Sequence, residues 1–107
     1  LLLLHLGITQ VQQALVAFGN NTSAAGVNAV ALGSFAVASG NYSFAANRST
    51  SAVSAYETVF GQYNTTYTPS STTEWVPSDR LFVVGNGVSS SQRGNALTIF
   101  KNGNIGI

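Results

Sequence analysis

The chain has 107 residues, enough for one domain with a modest core. Only 7% of them are charged and the net charge is +1, so no basic stripe exists to neutralise a phosphate backbone, which excludes nucleic acid as a partner class. There is no cysteine, hence no disulfide or thiolate metal site, and the surface is held in water by Ser, Thr, Asn and Gly. Such a surface repels copies of itself weakly and suits ordered self-association or a coat of sugar.

Residues 1–11 open the chain. Leu1 to Leu4, His5 and Leu6 form an apolar run far shorter than the roughly 20 residues of a membrane helix, so no membrane span is expected. The run lacks the basic start and cleavage pattern of a whole signal peptide. It reads either as the tail end of one in a processed or partial product, or as a strand that docks onto a neighbouring subunit.

Residues 12–63 carry an internal repeat. Gly19, Gly26, Gly33, Gly40, Asn47, Ser54 and Gly61 fall seven residues apart, and Asn is the next-best residue after Gly at a left-handed turn. Between these turn positions the chain alternates with period two, the mark of strands with two distinct faces. One face holds Ala29, Ala31, Ala36, Ala38, Ala45 and Ala52. The other holds Val16, Phe18, Val30, Leu32, Val37, Phe44, Val53 and Phe60. The alanines permit close approach of two layers, and the larger side chains need a second partner surface, which makes them the candidate self-association residues. Two seven-residue strand–turn units would close one coil of a flattened parallel β-solenoid, each coil rising about 4.8 Å. A helix is the alternative only for residues 8–18, because beyond Gly19 it would carry a glycine every second turn at about 1 kcal/mol each.

Residues 64–79 lose the repeat; two prolines and a Ser/Thr cluster predict an ordered loop or linker. Residues 80–107 predict a small antiparallel hairpin region. Leu81 to Val84 and Ala96 to Phe100 are strand-like, and Asn102-Gly103 is a strong hairpin signal. Ile105 and Ile107 alternate in a strand that can pair with a further segment, of the same chain or of another, so they join Leu2, Leu4 and Leu6 as a candidate subunit joint.

At Asn28-Ala29-Val30-Ala31-Leu32-Gly33 and the units around it, over about residues 12–63, the sequence resembles the head repeats of YadA-like trimeric autotransporter adhesins. The segment 79–107 resembles a module that succeeds such repeats in bacterial surface proteins and phage tail fibres. The resemblance implies a left-handed parallel β-roll and a homotrimer whose larger apolar side chains meet near the axis. Asn47 and Ser54, in place of Gly, depart from the pattern.

No chemistry converges. His5 has no partner identifiable in sequence, and Glu57, Glu74 and Asp79 are scattered, so no catalytic site, metal or cofactor is expected. Asn20, Asn41, Asn47 and Asn64 each head an N-glycosylation acceptor pattern, meaningful only if the source glycosylates its secreted proteins. Two functions fit. One is a non-enzymatic structural subunit of an extracellular or cell-surface fibre, stalk or adhesin, assembled from copies of itself as a homotrimer or head-to-tail filament. The other is a receptor-binding module of a phage tail fibre that takes surface carbohydrate on Tyr42, Tyr56, Tyr63, Tyr67 and Trp75.

Overall fold

The structure is a computed structural model that describes residues 15–107. Leu2, Leu4, Leu6, His5 and most of the 8–18 stretch lie outside the described residues. Val16 to Phe18, the described end of the possible helix, are strand.

Alternation and glycine spacing set a coil of fourteen residues. Each coil has a five-residue strand and a two-residue strand: β1 (Val16–Asn20) with β2 (Ser23–Ala24), β3 (Val30–Ser34) with β4 (Val37–Ala38), and β5 (Phe44–Arg48) with β6 (Ser51–Ala52). The next long strand is β7 (Thr58–Gln62). Long strands stack in parallel, Val16 on Val30 on Phe44 on Thr58, and short strands stack likewise, Ser23 on Val37 on Ser51. The chain is therefore an all-β parallel solenoid, two strand–turn units per coil.

Alanine fills the space between the two sheets. Ala29, Ala31, Ala36, Ala38, Ala45 and Ala52 are fully buried, so the layers approach closely and a longer side chain has nowhere to go.

The turn role read in sequence holds for alternate members of the series: Gly26, Gly40 and Ser54 open turns closed by the N–H groups of Ala29, Ser43 and Glu57. The residues in left-handed conformation at the turns are Asn21, Asn28, Phe35, Tyr42, Ser49, Tyr56 and Tyr63, each two residues beyond the glycine series. Gly19, Gly33, Asn47 and Gly61 lie inside the long strands, also at positive φ. At Gly33 a Cβ would overlap the carbonyl oxygen of Asn47 in the next coil, and at Gly26 it would overlap that of Gly40. Close stacking of coil on coil demands these glycines.

The two departures obey the same logic. Asn47 turns its Oδ1 to the N–H of Gly61 at 2.9 Å, and the strand register runs only through Phe44–Thr58, Ala45–Val59 and Arg48–Gln62 around it. Ser54 closes the last short unit, where its hydroxyl meets Glu57 and the carbonyl of Arg80 instead of another coil.

The antiparallel strands at the C-terminal end grow directly from the solenoid. β8 (Arg80–Asn86) pairs in parallel with β7, placing Gly85 on Gly61. β9 (Asn95–Phe100) then runs antiparallel to β8, and β10 (Ile105–Gly106) returns along β9 through Asn102-Gly103. One sheet thus has the order β1-β3-β5-β7-β8-β9-β10, and the second β2-β4-β6. Residues 64–79 fold back on the coil edge: Thr72 and Ser71 carbonyls accept Asn41 and Ala55 N–H groups at 2.8 and 3.3 Å. The Asp79 carboxylate fixes the same loop by accepting the N–H groups of Ser70 and Ser71. Among the described residues no helix is long and apolar enough to cross a membrane.

Candidate functional site

Because inward positions of the long strands are taken by alanine and valine, their bulky residues point outward in two columns. In the first, Val16, Val30, Phe44 and Thr58 continue into Phe82 and Ile99. In the second, Phe18 pairs with Leu32, and Phe60 with Val84 and then Leu97. Phe60 joins the columns, its ring centre 5.6 Å from that of Phe44 and 6.1 Å from that of Phe82. Neither column contains a charged residue. Phe18 is 52% exposed and Phe60 38%, so the face is uncharged, continuous and left uncovered by the described residues.

Six of the eight candidate self-association residues, Val16, Phe18, Val30, Leu32, Phe44 and Phe60, lie on this face. Val37 and Val53 do not. The chain reverses at Phe35 and Ser49, so the outward side of β4 and of the residue after β6 faces away from the outward side of β3 and β5. Period-two alternation cannot distinguish these two exteriors. Ile105 and Ile107 are exposed, on and just beyond the edge strand β10.

The five aromatics proposed as stacking platforms separate into three places. Tyr42 and Tyr56 stack at 5.0 Å with rings 18° apart, and Trp75 meets Tyr56 edge-on at 5.6 Å, forming a half-exposed ledge along one turn edge. Lys101 Nζ lies 5.7 Å from the Trp75 ring centre. Tyr63 stands on the other edge, and Tyr67 faces inward under the Arg80 guanidinium at 4.1 Å.

The glycosylation acceptors are not equivalent. Asn20 is exposed. Asn41 is half-buried and accepts the Val27 N–H at 3.0 Å, while exposed Asn47 is engaged with Gly61. Asn64 is fully buried, its Nδ2 donating to the Ser51 and Thr65 carbonyls. A glycan on Asn64 is incompatible with this structure, which corrects the expectation there.

A polar plug closes the end of the alanine core. Glu57 Oε1 accepts hydrogen bonds from the backbone N–H groups of Val53 and Ser54, the Ser54 hydroxyl and the Tyr67 hydroxyl, at 3.0 to 3.2 Å. Its Oε2 is buried without a partner among the described residues. Burial pushes the Glu57 carboxyl up from its ordinary value, against the opposing pull of these hydrogen bonds and of Arg80. Burial also pushes the Tyr67 phenol up to about 12, with the Glu57 charge adding to the effect. Lys101 donates to Ser54 Oγ and the Arg80 carbonyl, and loss of solvent lowers its ammonium from the ordinary value. The plug satisfies the chain's own backbone; in sequence its members are only scattered acids and bases. Among the described residues no group of three His, Asp or Glu could hold a metal ion.

No curated protein and no solved structure matches the chain. A family does match within the first coils: residues 16–36 and 24–46 match the YadA head domain repeat as two copies. The stretch 16–46 is therefore YadA-head-like in sequence, and the parallel solenoid that it builds is the fold such a likeness implies.

Proposed function

We propose that this chain is a structural, non-enzymatic segment of a self-assembling extracellular fibre, stalk or adhesin at a cell surface. The observation that carries the reading is the uncharged face running from Val16 and Phe18 through Phe44 and Phe60 to Ile99. Burying such a face stabilises association by about 25 cal/mol for each Å² of apolar surface removed from water. YadA head domains form trimers, so the occupant of this face is a second and third copy of the chain, with the large side chains toward the common axis. Exposed Ile105 and Ile107 on the open sheet edge then offer a head-to-tail joint. Asn20 is the acceptor most open to a glycan.

The second reading, a carbohydrate-binding module such as a phage tail fibre carries, draws on the Tyr42–Tyr56–Trp75 ledge. Electron microscopy of the native material separates the two. Continuous stalks or filaments built on this chain support the structural reading. Discrete tips, together with glycan binding lost on Trp75→Ala, support the second.

A further inference from the structure

On the edge opposite the aromatic ledge, a groove of about 480 Å³ opens between the turns of two coils and the β8–β9 loop. Arg48 and Arg93 line it, and both guanidinium carbons lie 5.5 Å from the centre of the Tyr63 ring. Arg93 is anchored, donating to the Ser49 and Asn64 carbonyls at 3.3 and 3.2 Å. Arg48 is exposed and has no ion pair among the described residues. None of the three acids balances the pair: Glu57 and Asp79 are buried in the plug and its loop, and Glu74 does not line the groove. Half of the chain's four basic residues thus share one concavity with no counter-charge.

Two further features narrow the ligand. The walls are hydroxyl-bearing, with Ser51 and Thr66 among the lining residues. Phe35, 51% exposed, stands at the rim and presents its ring to solvent. Guanidinium groups in one groove suit a carboxylate or sulfate, hydroxyls suit neighbouring ring hydroxyls, and an aromatic face suits the C–H face of a pyranose.

We propose that this groove binds an anionic sugar, its carboxylate or sulfate held by Arg48 and Arg93 and its ring against the exposed face of Phe35. All of the groove's lining residues come from one chain.

The test is calorimetric titration of the full chain with three probes: sialyllactose for a carboxylate, a heparin-derived tetrasaccharide for sulfate, and lactose as the neutral control. At least one acidic probe binds, lactose does not, and binding weakens with added salt. Whichever acidic probe binds identifies the source of the anion. Arg48→Gln weakens that binding about tenfold or more with an unchanged melting temperature, since the exposed Arg48 side chain makes no hydrogen bond among the described residues and its backbone bonds are kept. Arg93→Lys, which keeps the charge but loses the planar fork, weakens it less. The proposal is overturned if neither acidic probe binds, if lactose binds as tightly, or if Arg48→Gln binds the acidic probe as the native chain does. It is also overturned if Arg48→Gln leaves sugar binding alone and instead dissociates the oligomer, which would make the groove a subunit joint.

Discussion

The side-chain amide of Asn64 stands in for the next coil beneath Ser51: Oδ1 accepts the Ser51 N–H at 2.8 Å, and Nδ2 donates to the Ser51 carbonyl at 3.0 Å. In the coils before it, the same position uses backbone, as where the Val37 N–H bonds to the Thr50 carbonyl at 2.9 Å. The short-strand sheet therefore ends on an amide side chain that copies a peptide group, and its last edge is closed.

Asn64→Ala should strip both partners from Ser51 and destabilise the chain by about 2–4 kcal/mol, the cost of leaving two sheltered backbone groups unsatisfied. Asn64→Asp keeps the acceptor but sets a carboxylate oxygen against the Ser51 carbonyl, and should cost at least as much. Denaturant unfolding, with the midpoint lowered and the slope unchanged, reads this.

Gly33→Ala should be among the most damaging single changes, at about 3 kcal/mol or more, because it combines a positive φ with backbone overlap. Asn47→Gly, one coil on, should stay within about 1 kcal/mol of the native chain, exchanging one exposed hydrogen bond for a regular strand register. Thermal unfolding of the two variants side by side checks the ordering.

Stability should fall as pH rises above the ordinary carboxylate value. Burial raises the Glu57 carboxyl in the folded state above its ordinary value of 4.5, so folding favours the protonated form. That contribution is fully present below the unfolded value and is lost as pH climbs through the folded one. Arg80 and the Tyr67 hydroxyl face the carboxylate and limit the rise. Lys101, lowered from 10.5, acts in the alkaline range with the opposite slope, stability being regained as pH approaches the ordinary lysine value. The melting temperature should be higher at about pH 4 than at about pH 8, and Glu57→Gln should flatten the difference.

The outward face yields a separate expectation. Phe18→Asp with Phe60→Asp should keep the far-ultraviolet spectrum of the native chain, because both side chains are substantially exposed. It should lower the molar mass in sedimentation to that of one chain, since two new charges would have to be buried in the joint.

Much of this architecture was legible from spacing. Alternation placed the alanines inside and the larger residues outside, and the seven-residue series gave two units per coil. The meaning of that series was legible only in part: Gly33 and Gly26 are also required by carbonyls one coil away, and four of the seven left-handed turn residues are Phe35, Tyr42, Tyr56 and Tyr63, types that carry no turn signal. β8 escaped the repeat because the loop lengthens the spacing between Gly61 and Gly85, although the glycine itself and the apolar run before it were the available signal. Counting one coil length on from Thr50 would have placed Asn64 over the short sheet. Nothing local in sequence brings Arg48 to Arg93, since only the return of the chain through β8 and β9 sets them around Tyr63.

The molar mass of the native chain in dilute buffer tests the account at its centre. A face of stacked phenylalanine, leucine and valine that one copy leaves open to water should produce a stable trimer, with Phe60 protected from solvent in it. A soluble, long-lived single chain with Phe60 open to solvent would contradict it.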